Sequence, residues 1–268
     1  MPRSTLCCIA LLSLAGPAAA ADVGLGIAVD YSSGDYGSDT TTDILSIPLT
    51  ARMDAGDWTL KASLPWLRVN GDPDVLPTVG LVDNLNPAGR GRGGLLGDPA
   101  GDGETTSERG SASGIGDLTL AATYSVPTGN ALGVDLTANA KIATADEDKG
   151  LGTGADDYGV AVDLYRDLDG TMLFGGAGYT RLGESQYIEV DSVLSGNIGI
   201  SRRTGKGRIG LMYDYREAAA NGFDDRSDAI GFLSTPAGTG SRLQLYLSKG
   251  LSDGSPDWGA GTRFMHSF

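Results

Sequence analysis

From residue 23 onward the chain alternates apolar and polar positions with a period of two. The clearest stretch sets Leu132, Val134, Leu136, Ala138, Ala140 and Ile142 against Gly133, Asp135, Thr137, Asn139 and Lys141. Side chains alternate across a strand, so such a segment has one apolar face and one polar face. The pattern recurs at Val23, Leu25, Ile27, Val29 and Tyr31, at Trp58, Leu60, Ala62, Leu64 and Trp66, and at Leu243, Leu245 and Leu247. It predicts twelve strands, near 23–33, 43–54, 57–68, 115–126, 131–143, 156–167, 171–182, 190–203, 206–217, 226–236, 240–250 and 257–268. Segments of about ten alternating residues are the signature of a membrane-spanning barrel.

The connections alternate short and long. Asp54–Asp57, Pro127–Asn130, Asp167–Gly170, Thr204–Gly205 and Pro236–Thr239 carry tight-turn residues, whereas long loops fall at 34–42, 69–114, 144–155, 183–189, 218–225 and 251–256. The fold expected is therefore all-β: a closed antiparallel transmembrane β-barrel of twelve strands with short periplasmic turns and long extracellular loops. Closure satisfies every backbone group in lipid, where each open one would cost several kcal/mol. A soluble β-sandwich would bury its apolar face, and would explain neither the alternation of loop lengths nor the final strand. Aromatic residues fall at both strand ends. Trp58, Tyr124 and Phe268 are expected at the periplasmic girdle, and Tyr31, Trp66, Tyr158, Tyr213, Tyr215 and Trp258 at the outer one.

Residues 1–21 read as a cleaved secretory signal peptide: Arg3, an apolar run from Leu6 to Ala15, then Pro17 and small residues. Residues 22–268 form the barrel domain. Both cysteines, Cys7 and Cys8, lie in the leader, so the exported part offers no thiolate metal ligand. No body segment approaches the roughly 18 apolar residues of a membrane helix. The 42 glycines are about twice the usual share. The net charge is −14, and this acidity argues against nucleic acid as a partner.

The last strand, Gly261-Thr262-Arg263-Phe264-Met265-His266-Ser267-Phe268, resembles the C-terminal signal read by the outer-membrane barrel assembly machinery, with Phe264 and Phe268 as its aromatic positions. His266 stands where an aromatic is more usual. A narrower resemblance rests on Ser33-Gly34-Asp35-Tyr36, Ile47-Pro48, Trp58-Thr59-Leu60, Leu64-Pro65-Trp66-Leu67-Arg68-Val69 and Gly114-Ile115-Gly116-Asp117-Leu118. Together these resemble the proteobacterial transporter-like barrels of the meta-pathway-of-phenol-degradation family. The resemblance implies a Gram-negative cell outer membrane, contact with its lipid and lipopolysaccharide, and transport near catabolism of aromatic compounds.

No catalytic residue is expected. His266 is the sole histidine, and its neighbour Ser267 points to the opposite face, so the two do not form a nucleophile–base pair. The clusters Asp146-Glu147-Asp148, Asp156-Asp157 and Asp224-Asp225 read as solvated loop charge, and no metal site or cofactor is expected. The loop at about 69–114 is long enough to suggest function. Its apolar patches Val79-Gly80-Leu81-Val82 and Leu95-Leu96, with Arg90, Arg92 and Arg109, suggest a lid or plug in the barrel mouth.

With the apolar face outward, parity assigns the lumen. Arg52, Lys61, Arg208, Arg216, Arg242 and Arg263 form a mostly basic wall, and Asp117, Asp135 and Asp163 face it; Asp30, Asp214 and Lys141 break the pattern. Such walls either set up a transverse field across the lumen or pair and fill it. The function expected is passive passage of small molecules, aromatic or other hydrophobic solutes among them. The other reading is a non-conducting structural or surface-interaction barrel that acts through its acidic extracellular loops.

Overall fold

The computed structural model describes residues 21–86, 90, 110–129 and 131–268. Residues 1–20 of the leader, Arg92, Leu95-Leu96 and Arg109 lie outside the described residues. The strands are β1 (Asp22–Gly34), β2 (Thr42–Ala55), β3 (Trp58–Gly71), the two-residue β4 (Val75–Leu76) and β5 (Gly80–Leu81), β6 (Gly110–Ile115), β7 (Leu118–Val126), β8 (Leu132–Ile142), β9 (Asp157–Leu168), β10 (Thr171–Arg181), β11 (Val193–Thr204), β12 (Gly207–Arg216), β13 (Arg226–Pro236), β14 (Ser241–Gly250) and β15 (Trp258–Ser267). Among them, consecutive long strands pair antiparallel, and β1 pairs with β15 from Gly24↔Ser267 to Ser33↔Trp258. That last pairing closes the sheet. β6 and β7 are two halves of one stave, since both pair with β3, so the barrel has twelve staves.

The register explains the faces. Leu211, Gly231, Leu247 and Ala260 stand in one cross-strand row, and their side chains share the outer surface. Leu247 is 68% exposed and Ile198 67%, so no second layer covers this face. A sandwich would have buried it. The girdles fall as expected from the sequence: Trp58 stacks on Tyr124 at the turn end, ring centroids 5.0 Å apart, and Tyr31 on Trp258 at the loop end, 5.3 Å apart.

One stave departs from regular pairing, and Pro65 is the cause. Its missing N–H interrupts the ladder toward the fourth stave. The register there slips from Ser63↔Thr119 to Trp66↔Ile115, which leaves one extra residue on the β6–β7 side. Gly116 N donates to the Pro65 carbonyl at 2.8 Å and holds the bulge. The stave thus begins at Gly110 and breaks at Gly116–Asp117, rather than running from 115 to 126. β11 starts at Val193 instead of 190, because Val190 packs with the loops.

The apolar core sits inside the loop end of the barrel. Leu76, Val79 and Val82 pack with Leu182, Ile188, Val190, Val193 and Ala219. A second cluster joins Leu67 and Val69, which face inward on β3, to Leu151.

Candidate functional site

The described part of the 69–114 loop packs inside the loop end of the barrel. The β4–β5 hairpin carries Leu76 and Val79 into the larger cluster, and Val82 is fully buried. Arg90 then ties the segment together from within. Its guanidinium donates to the Gly150 carbonyl at 3.1 Å, to the Val75 carbonyl at 3.0 Å, and to the Asp72 carbonyl. Burial pushes Arg90 down to about 10, partly offset by Asp72 and Asp74, so it remains a cation at neutral pH. Asn86 donates to Asp148 at 3.1 Å and joins the plug to the 143–156 loop. On the wall, Arg216 donates to the carbonyl of Thr78 at the hairpin tip. Thr78 holds a φ of 73°, a left-handed conformation rare for a β-branched residue.

The bulge built by Pro65 turns Asp117 into a dense charge network. Its Oδ1 accepts from the backbone N–H groups of Thr144 and Ala145 at 3.0 and 2.9 Å. Lys141 lies 3.6 Å from its Oδ2 and 2.9 Å from Asp157, and donates to Thr153 at 2.9 Å. All three ions are buried, so the 143–156 loop is pinned against the inner wall by paired charge.

A second group lies on β12 and β13. Asp214 stands directly opposite Asp228, and Arg216 directly opposite Arg226. Arg226 Nε donates to Asp228 Oδ2 at 2.7 Å, whereas the buried Oδ1 of Asp228 has no partner among the described residues. Tyr36, at a φ of 57°, buries its ring nearby and shares a 2.8 Å hydrogen bond with Ser32. Burial is the main reason its hydroxyl pKa is raised.

Toward the turn end, parity and register place the sequence-selected residues inside. Arg52 pairs with Asp54 at 2.7 Å and Arg208 with Asp167 at 2.9 Å. Arg242 donates to Ser234 at 3.3 Å. Lys61 and Arg263 share the inner face with Arg52, and Asp135 stands directly opposite Asp163 in the β8–β9 ladder; Asp135 Oδ1 is buried without a partner among the described residues. So Arg52, Asp117 and Arg208 are paired with near neighbours rather than aimed across the lumen, and Arg216 holds the plug. Lys141 and Asp214, which looked like exceptions to a two-wall pattern, are members of the local networks.

Parity alone missed an aromatic lining. Tyr165 lies over Gly133, Phe174 over Gly199, Phe232 over Gly210 and Tyr246 over Gly261, each ring occupying the space that a Cβ on the neighbouring strand would need. Each ring thus lies against the backbone of the neighbouring strand. Tyr246 also donates to Asp30 at 2.9 Å, which accounts for that inward acid. The signal was an inward aromatic opposite a glycine, visible once the register is known.

Between the plug tip and the wall of β2, β3 and β7 lies a cavity of about 240 Å³. Pro48, Pro65, Leu67, Leu76 and Pro77 give it an apolar lining, and Ser46, Ser63 and Arg226 add polar groups.

His266 does not meet Ser267. Its Nδ1 shares a 2.8 Å hydrogen bond with Ser241 Oγ on the outer face, and its ring stands edge-on to Phe268. Phe264 is also on the outer face. The acidic clusters are engaged locally: Asp146 with Lys149 at 2.9 Å, Asp157 with Lys141, and Asp225 with Tyr215 at 2.6 Å. The Lys149 hydrogen bond lowers the Asp146 pKa, and the Tyr215 hydroxyl lowers that of Asp225. Among the described residues no group of three or more His, Cys, Asp or Glu is arranged to hold a metal ion.

Residues 32–268 match the family model described as "Putative MetA-pathway of phenol degradation". No curated protein matches the chain. Among solved structures, the barrel is similar to the beta domain of the Bordetella autotransporter BrkA, at 12% identity and a TM-score of 0.50, covering 93% of this chain and 100% of that one. It is likewise similar to the translocator domain of the autotransporter NalP from Neisseria meningitidis, at 11% identity and a TM-score of 0.50, covering 95% of this chain and 90% of that one. At these identities the likeness is one of fold.

Proposed function

The chain belongs to the MetA-pathway-of-phenol-degradation family, and from that premise we propose that it is a bacterial outer-membrane barrel through which small molecules, aromatic or other hydrophobic solutes among them, pass passively. The reading rests above all on the lumen. Aromatic rings lie over glycines along its wall, and a loop segment is docked inside its loop end. A barrel of twelve staves is wider than the eight-stranded size whose interior side chains just fill. Apolar outer residues between two aromatic girdles suit a bilayer. In this reading the turns face the periplasm, the loops face outward toward lipopolysaccharide, and Phe264 and Phe268 serve assembly. We assign the protein no catalytic role: His266 and Ser241 sit on the outer face, and among the described residues neither makes a hydrogen bond to a carboxylate that would orient the imidazole.

Liposome swelling with the purified full-length protein tests this. Uptake of benzyl alcohol-sized solutes above that of protein-free vesicles is the expected result. No uptake, also after the plug is released by substitution at Arg90, would instead support a structural barrel that works through its acidic loops.

A further inference from the structure

The cavity beneath the plug tip has the properties of a specific site rather than a stretch of open channel. Its lining combines three prolines with Leu67 and Leu76, rigid or well-packed groups that hold its shape without a ligand. At about 240 Å³ it is smaller than the roughly 300–1,000 Å³ of pockets for drug-sized ligands, and suits a single ring. Its roof is the hairpin tip, Pro77, Thr78 and Gly80, which Arg216 anchors through the Thr78 carbonyl. A molecule held here would touch both the wall and the gate.

Arg226 determines the chemistry. It lines the cavity, and among the described residues its guanidinium hydrogen-bonds through Nε alone, to Asp228. The terminal nitrogens are left as donors. The cationic charge is already balanced by Asp228, and Asp214 stands two residues from Arg216 on the same face of β12. Asp117, also on the lining, would repel an anion were Lys141 not beside it. The site therefore offers hydrogen-bond donors beside an apolar wall of Pro48, Pro65, Leu67 and Leu76, with no net positive charge to hold a carboxylate.

We infer that this cavity is a saturable binding site for a small, neutral, single-ring solute bearing one oxygen, its apolar body between Pro48, Pro65 and Leu67 and its oxygen accepting from Arg226. The inference deepens the passage reading and rests on it for the lumen being a solute path.

Titration calorimetry on the full-length protein in detergent, with benzyl alcohol as the probe and protein-free micelles as the blank, tests it. Saturable binding is expected. Ser46→Trp, which fills the cavity from β2, should abolish it, with strand content and heat-modifiable gel migration retained. Arg226→Lys keeps a charge beside Asp228 but removes the planar donors; it should weaken benzyl alcohol about tenfold, the size of one charge-assisted hydrogen bond. Non-saturable uptake that Ser46→Trp does not change would overturn the site. Benzoate binding more tightly than benzyl alcohol would overturn the neutral class. Solute passage in vesicles without saturable binding would end this inference and leave the passage reading intact; binding without passage would do the reverse.

Discussion

Pro48 and Pro65 stand directly opposite one another in the β2–β3 ladder, both on the inner face and both lining the cavity under the plug. Each removes a backbone donor on the side away from the other. Pro65 forces the bulge that aims Asp117. Pro48 leaves its mark between β1 and β2, where pairing stops after Ile27↔Leu49 and resumes at Asp30↔Ser46 without a change of register. The wall of the cavity thus has an interrupted ladder on both of its sides.

That gap predicts a gain of stability. Pro48→Thr restores an N–H opposite Ala28 with no shift of register to accommodate. One net backbone hydrogen bond contributes about 0.5–1.5 kcal/mol. Urea unfolding in lipid vesicles should show a stabilisation of that order. An unchanged midpoint would mean that the gap is closed some other way.

Lys141 is the most demanding single position in the upper lumen. Its ammonium lies between the carboxylates of Asp117 and Asp157, with all three side chains about nine-tenths buried or more. Lys141→Met leaves two buried carboxylates facing each other. Breaking a buried pair by removing one partner costs about 3–5 kcal/mol. The expected result is a loss of that size in vesicle unfolding, recovered in large part by adding Asp117→Asn and Asp157→Asn. Without that recovery, the loss would have to come from packing instead of charge.

Much of this was legible in the sequence, and the reason is parity. In a barrel wall every strand residue faces either in or out, so a period-two pattern fixes the face of Arg52, Lys61, Asp135, Asp163, Arg208, Arg242 and Arg263 with no knowledge of neighbours. Pairing is another matter. That Asp117 meets Lys141, or that Phe174 covers Gly199, depends on the stagger between strands, which parity does not carry. The bulge at Gly116–Asp117 did have a signal in Pro65, since proline inside a strand marks an edge or a bulge. The plug was foreshadowed by Val79–Val82, apolar residues that an exterior loop has no use for. Its anchor, Arg90, reads in sequence as one of several loop arginines, and its role emerges from three carbonyls contributed by two loops.

Arg90 gives the test of gating. Arg90→Met keeps the length of the side chain and removes all of those hydrogen bonds, leaving the Asp72, Val75 and Gly150 carbonyls without this donor. A buried group left unsatisfied costs about 1–3 kcal/mol, a loss that in combination weakens docking otherwise held by the buried Val75, Leu76, Val79 and Val82. Single-channel conductance in planar bilayers should rise, and protease added on the loop side should cut the 72–86 segment faster. Unaltered conductance together with faster cutting would show that the segment is not what closes the mouth.

The flat rings make the last prediction, and it concerns the width of the lumen. Gly210 lies under the Phe232 ring and faces the lumen, so a methyl group there would overlap Cζ and Cε1. The aromatic ring has one direction to move, toward the axis, since the wall behind it is backbone. Gly210→Ala should therefore narrow the passage while the barrel still closes, and conductance should fall. It should fall further in Gly210→Val. The companion change Phe232→Leu, which withdraws the obstructing ring, should restore conductance in the Gly210→Ala background. A purely structural defect would behave differently: Gly210→Ala would lower the unfolding midpoint with conductance unchanged, and Phe232→Leu would lower the midpoint again, because it removes buried area. Measuring both quantities on the same four proteins separates a ring that shapes the passage from one that merely packs its wall.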